Sequence, residues 1–222
     1  MQKDEDLVPK NLVVVGAGGH AVSVAEVAYS AGFQIKCFVD PGKAGQTLLE
    51  FPVLSDLAEL DDLHSYSICI AIGDNMTRAL VFDKIATAFG SLTFPALVHK
   101  SAVVSRYAAL ENGTVIMPNA SIGPQSHIGK FCIVNTSASI DHDCTLADFA
   151  SVAPGVSTGG GVKIGYRSAI SIGAVIKHGI IIGQDTVLGG NSYLNQNLGD
   201  ELLAYGSPAK VIRERKAGDR YL

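Results

Sequence analysis

Three ionisable side chains stand in succession at Asp141, His142 and Asp143, inside the otherwise mild stretch NTSASIDHDCTL at residues 135–146. Imidazole is the side chain whose ordinary pKa lies near neutrality, so His142 has the chemistry of a general base. A carboxylate beside the ring favours one tautomer and raises its basicity, and Asp143 is placed to do this. Asp141 directly follows Ile140 and is assigned a structural role. A second pattern, GAGGHA at residues 16–21, matches the relaxed G-x-G-x-x-A fingerprint between a strand-like run and a helical one. Backbone N–H groups at such a helix start attract phosphate. An acid, Asp40, ends the next apolar run.

Two kinds of element must position these groups. Residues 11 to about 95 alternate strand and helix signals. NLVVVG, QIKCFVD and YSICIAIGD read as strands, and HAVSVAEVAYSAG as a short helix closed by Gly32. NMTRALVFDKIATAFG reads as an amphipathic helix with Leu80, Val81, Ile85, Ala88 and Phe89 on one side and Gly90 beyond its end. This alternation predicts a βαβαβ half-domain of Rossmann type, a parallel sheet covered by helices. It amounts to one mononucleotide-sized half, which argues against a dinucleotide site.

From residue 98 the period changes to six. Val98, Val104, Leu110, Ile116, Ile122, Ile128, Val134, Ile140, Leu146, Val152, Thr158, Ile164, Ile170, Ile176, Ile182 and Leu188 follow one another at this spacing, and only Thr158 is not aliphatic. Small residues recur four positions later, as at Ala120, Cys132 and Ala138, and glycine often follows the aliphatic, as at Gly123, Gly129 and Gly165. Neither helix nor plain strand has this period; short strands alternating with corners in a β-solenoid do. The aliphatic points inward, the small residue fills the next corner, and glycine is expected to relieve strain at the bend.

Composition narrows the function classes. The 222 residues are 47% hydrophobic and 17% charged, with a net charge of −4. A globular protein is implied, and nucleic-acid binding is disfavoured because no basic stripe is available. KVIRERK, at residues 210–216, is the one basic cluster and reads as a solvated face. The charged start MQKDEDLVPK has no apolar segment of a secretory signal, and no run is long enough to span a membrane. Cys37, Cys69, Cys132 and Cys144 show no C-x-x-C spacing and sit among apolar or small residues. A cytoplasmic protein with reduced, packed thiols and no membrane insertion is expected.

The hexad series ending in GSPAK, together with VVVGAGGHA, NTSASIDHDC and GGVKIG, resembles the sialic acid O-acetyltransferase and nucleotide-amino-sugar N-acetyltransferase family over residues 11 to about 213. The resemblance implies a left-handed parallel β-helix of hexapeptide repeats at residues 96–222, three hexads to a coil, behind a nucleotide-sugar-binding domain at residues 1–95. It implies a homotrimer using acetyl-CoA as co-substrate, no metal, and active sites between neighbouring prisms. His142 becomes the general base and Asp143 its support. Gly18, Gly19 and His20 would contact the nucleotide sugar, with Asp40 near base or ribose and Gly73 nearby. Gly160 would offer its N–H to the oxyanion, and Ile172 and Gly190 would line the acetyl-CoA path. Similar enzymes often carry a second histidine, nine residues after the base, that contacts acetyl-CoA. Ser151 stands there instead, and its hydroxyl still donates a hydrogen bond.

N-acetylation of a nucleotide-linked 4-amino sugar uses both halves of the chain. O-acetylation of sialic acid is the alternative acceptor chemistry. A zinc-dependent carbonic anhydrase of the hexapeptide-repeat type is a remote alternative, since the histidines 20, 64, 99, 127, 142 and 178 include no H-x4-H pair.

Overall fold

The structure is a computed structural model describing residues 10–216 together with Gly218 and Asp219. The expectation drawn from the charged N-terminal segment lies outside these residues, apart from Lys10.

Strand β1 (Lys10–Val15) ends in a run of buried valines and lies inside the first sheet, parallel to β2 (Phe33–Val39) on one side and to the edge strand β5 (Ser67–Ile70) on the other. Helix α1 (Gly19–Ser30) links β1 to β2, and Gly32 follows it at φ 82°. Helix α2 (Asn75–Phe89) follows β5 and stops at Gly90, φ 69°. Between them lies a hairpin that the period-based reading missed, β3 (Thr47–Leu48) and β4 (Phe51–Leu54), with β4 parallel to β2. A proline in so short a run hides it as a strand. The turn after β1 needs Gly16 twice over: its φ is 107°, and a Cβ there would lie 2.9 Å from the Ala71 carbonyl oxygen.

α2 corrects one expectation. Leu80 is 52% exposed, whereas Asn75 and Arg78 on the inward side are 1% exposed. The buried face of this helix is therefore partly polar, and Leu80 lies outside it.

From Leu97 onward the chain winds into a three-sided prism of two-residue strands. Each strand pairs in parallel with the one 18 residues on, as Ile122 with Ile140 and Ile128 with Leu146. The hexad aliphatics stack as a buried column, and the phase runs past Leu188 to Leu194. The tail then extends one face: Leu202–Gly206 pairs in parallel with Val187–Leu188 and antiparallel with Ala209–Glu214. Part of the basic cluster is thus an edge strand, and the next residue, Arg215, is buried and donates to the Asp185 carbonyl.

The corner chemistry differs from expectation. From Leu110 onward the left-handed conformation falls three residues after the aliphatic, and it is taken by non-glycine residues at Asn119, Gln125, Phe131, Ser137, Asp143, Phe149 and Arg167, with φ between 54° and 60°. The glycines directly after the aliphatics serve clearance between coils instead. A Cβ on Gly123 would lie 2.7 Å from the Asp141 carbonyl carbon, and one on Gly165 would lie 2.4 Å from that of Gly183.

The α/β half docks on the edge carrying Phe131, Phe149 and Arg167. Phe131 and Phe149 stack at 5.2 Å with 8° between their planes, and Phe82 of α2 packs 4.5 Å from Phe131. The edges carrying residues 135–138 and 141–144 remain outside this aromatic contact.

Candidate active site

His142 sits at the corner between Ser139–Ile140 and Thr145–Leu146, with its side chain 57% exposed. Both neighbouring coils pin this corner. Ser126 from the coil below donates its hydroxyl to the Asp141 carbonyl and accepts the Cys144 N–H. From the coil above, Thr158 Oγ1 accepts the Asp141 N–H at 3.1 Å. The single break in the aliphatic series therefore anchors the reactive corner. The His142 carbonyl accepts from Gly161 N–H, and Asp143 N–H donates to the Pro124 carbonyl. Asp141 Oδ1 accepts the His142 N–H, in keeping with a structural role.

Asp143 adopts the left-handed conformation, φ 59°, which a short polar residue tolerates, and its carboxylate turns onto the ring. His142 Nδ1 lies 2.6 Å from Asp143 Oδ2. A carboxylate only accepts, so Nδ1 carries the proton and Nε2 keeps its lone pair. This hydrogen bond, reinforced by the charge of Asp141, raises the His142 pKa above the ordinary imidazole value. Gly160, one coil above, lies against the ring: a Cβ there would stand 2.5 Å from Cε1 and 2.6 Å from Nε2.

The other reactive pattern opens a cavity of about 880 Å³ between the C-terminal ends of the first sheet's strands and α2. Gly18, Gly19, His20, Asp40 and Gly73 all line it. Among the described residues no side chain caps the start of α1, and no acidic residue occupies its first turn. The helix thus begins with amides suited to an anion. Asp40 braces the loop beside it, with Oδ2 accepting Ala17 N–H at 3.1 Å and Oδ1 accepting Gly42 N–H at 3.0 Å. Leu57, Val81 and Phe89 give the cavity an apolar side.

A second cavity, about 440 Å³, shares His20 and Gly73 with the first and continues along the prism to Asn135, Ser151, Pro154 and Ile172. Burial, and then the Arg78 charge, lower the His20 pKa to about 4, so its ring is neutral. Its buried Nε2 has no hydrogen-bond partner among the described residues. Gly190 stacks over Ile172, where a Cβ would stand 3.2 Å from the Ile172 carbonyl oxygen. The five substrate positions therefore line one cavity, and Ser151 and Ile172 line the second, whereas Gly190 lines neither and only packs against Ile172. His142, Asp143 and Gly160 line neither cavity and occupy the next edge. Asn135, which the sequence reading does not single out although it opens the motif that contains His142, also lines the second cavity, and its Oδ1 accepts the Thr136 N–H. Among the described residues, no three His, Cys, Asp or Glu side chains gather as a metal site would require, and no helix is long and apolar enough to cross a membrane.

Comparison with known proteins agrees with this layout. Residues 11–85 match the PglD N-terminal domain family. PerB from Caulobacter crescentus, solved with CoA and GDP-perosamine, superposes with a TM-score of 0.84 at 33% identity over 93% of this chain and 99% of that one. The chain belongs to the hexapeptide-repeat nucleotide-amino-sugar N-acetyltransferases. The acetyltransferase domain of PglB from Neisseria gonorrhoeae, solved with acetyl coenzyme A, is 31% identical over 92% of this chain and 100% of that one, with a TM-score of 0.85. These N-acetyltransferases give the prism its hand, a left-handed β-helix. GDP-perosamine N-acetyltransferase of Escherichia coli O157:H7 is 30% identical over 120 residues. An uncharacterised protein of Acanthamoeba polyphaga mimivirus is 29% identical over 121 residues. The matched stretch spans 53% and 24%, respectively, of these two curated relatives.

Proposed function

We propose that the chain transfers acetyl from acetyl-CoA to the amino group of a nucleotide-linked 4-amino sugar, in the cytoplasm and as a homotrimer. Residues 1–95 hold the nucleotide and residues 96–222 carry the transfer. The observation that carries this reading is the joined pair of cavities, in which an uncapped helix start leads past His20 and Gly73 to Ser151 and Ile172. PglB's acetyltransferase domain, solved with acetyl coenzyme A, and PerB, solved with CoA and GDP-perosamine, support the co-substrate and the class of acceptor.

In this mechanism the diphosphate lies over the Gly18–Gly19–His20 amides, with Asp40 bracing the loop beside base or ribose. Ser151, Ile172 and Gly190 line the path of acetyl-CoA. The amine nitrogen attacks the thioester carbon, and His142 Nε2 takes the proton that nitrogen releases. The Gly160 N–H stabilises the oxyanion. Collapse breaks the C–S bond and the imidazolium returns its proton to the leaving thiolate, giving the amide and free CoA. Because His142 lies one edge away from the cavities of its own chain, the complete site combines the cavities of one copy with His142 of a neighbour.

Thiol release from acetyl-CoA tests this reading, with GDP-, UDP- and dTDP-linked 4-amino sugars beside free sialic acid. Release is expected with a nucleotide amino sugar and not with sialic acid. Release with sialic acid alone would replace N-acetylation by O-acetylation, and silence across the panel would overturn the reading.

Asp143→Asn should expose the base's support. Only neutral His142 accepts a proton, so a raised pKa places the acid limb of the rate–pH profile at higher pH. Removing the carboxylate lowers that pKa, moves the limb to lower pH, and reduces the plateau rate about tenfold. A limb that stays in place would show that Asp143 does not govern His142.

A further inference from the structure

We propose that Arg78 is a positioning residue that holds the nucleotide-binding half in register with the transferase prism. This inference rests on the proposed function and extends it to a residue outside both cavities.

Arg78 lies on α2, 1% exposed, and its guanidinium reaches both halves at once. On the nucleotide side Nη1 donates to the Ile72 carbonyl at 2.8 Å and to the Gly73 carbonyl at 3.0 Å. Both residues line the nucleotide cavity, and Gly73 also lines the second cavity. On the prism side Nε donates to the Phe131 carbonyl at 2.8 Å and Nη2 to the Phe149 carbonyl at 2.9 Å. These are left-handed corner residues of successive coils, 18 positions apart. Asn75 continues the clasp one coil further. Its Oδ1 accepts from Arg78 Nη2 at 2.7 Å, while its Nδ2 donates to the Arg167 and Ser168 carbonyls, each at 3.1 Å.

One rigid, planar group therefore ties the loop at the cavity junction to two stacked coils directly and to a third through Asn75. Ser151, on the proposed acetyl-CoA path, opens the strand that follows the Phe149 corner, two residues further on. A shift at the clasp would change the distance from the nucleotide to the acetyl group without touching either ligand. Positional errors on the order of 1 Å cost about a hundredfold in rate. Lysine is a point donor and does not reproduce the planar fork. The Arg78 charge also contributes to keeping His20 neutral, which fits a residue acting across the junction.

The test compares a nucleotide 4-amino sugar with the same amino sugar carrying only a 1-phosphate. In the wild-type protein the nucleotide should raise kcat/KM strongly, because binding it in the α/β half delivers the amine to the prism. Arg78→Lys and Asn75→Ala are measured alongside, the second being a milder change should the first fold poorly. Arg78→Lys is expected to lower the nucleotide-sugar rate about a hundredfold, Asn75→Ala less, with the 1-phosphate rate within about threefold of wild type in both. The advantage given by the nucleotide thus collapses while the basal transfer stays. Equal losses on both acceptors, or no loss, would overturn the positioning role. Absence of transfer by the wild-type protein would instead refute the proposed function.

Discussion

His142→Ala should lower acetyl transfer about a thousandfold while leaving fold and assembly intact, since a positioned general base contributes about 10²–10⁴. The structural half of this expectation follows from exposure. The ring packs into no core and its hydrogen bond runs to Asp143, itself exposed. What holds the corner is backbone, through Ser126, Thr158, Gly161 and Pro124, and none of those contacts involves the imidazole. The residual rate should lose the acid limb that titration of the base imposes. Steady-state thiol release and a sedimentation profile check the two halves separately. Full activity in this variant would remove His142 from the mechanism.

Gly160→Ala should be nearly as damaging to activity, for a different reason. Gly160 has no left-handed φ, so alanine fits its backbone. The atoms nearest the added Cβ all belong to the His142 ring, at 2.5 Å for Cε1 and 2.6 Å for Nε2. An exposed side chain at a corner can rotate away, so folding is little affected. The rotation breaks the Nδ1 contact with Asp143 and moves Nε2 out of line with the acceptor. A loss of about a hundredfold in kcat is expected with an unfolding midpoint within about 2 °C of wild type. Circular dichroism melts beside kinetics would separate the outcomes; equal loss of stability and activity would mean that the coil contact, and not the ring, is what alanine disturbs.

These two variants also mark where the sequence was readable. The hexad column from Val98 onward was visible because an inward slot recurs with every corner, and His142 stood out because ionisable residues are scarce along it. The purpose of Thr158 was not visible. A threonine in an aliphatic slot reads as a tolerated defect until its hydroxyl is seen to hold the Asp141 N–H. The left-handed corners were also hidden, because Phe131, Phe149 and Arg167 occupy conformations usually associated with glycine, held there by the stacked coils. The glycines that were conspicuous, such as Gly123 and Gly165, instead report the close approach of one coil to the next. Arg78 was obscured by its setting, since arginine on an amphipathic helix normally faces water and only the fold brings the corner carbonyls to it. That His20 and Gly73 share a cavity with Ser151, with His142 on the next edge, depends on the winding of the prism and on which edge the α/β half covers.

The claim on which this account turns is that one site takes its nucleotide cavity from one copy and His142 from another. Complementation measures it directly. His142→Ala is mixed, under conditions that exchange subunits, with a variant whose nucleotide cavity is filled by Gly18→Trp, a lining position whose φ of −86° and open Cβ space accept a side chain. Each variant alone is expected to be nearly silent in thiol release with a nucleotide 4-amino sugar. If sites are shared between copies, random mixing should restore about a quarter of the wild-type rate, because one interface in four then pairs an intact cavity with an intact His142. Mixed assemblies as silent as their parents would contradict the shared site.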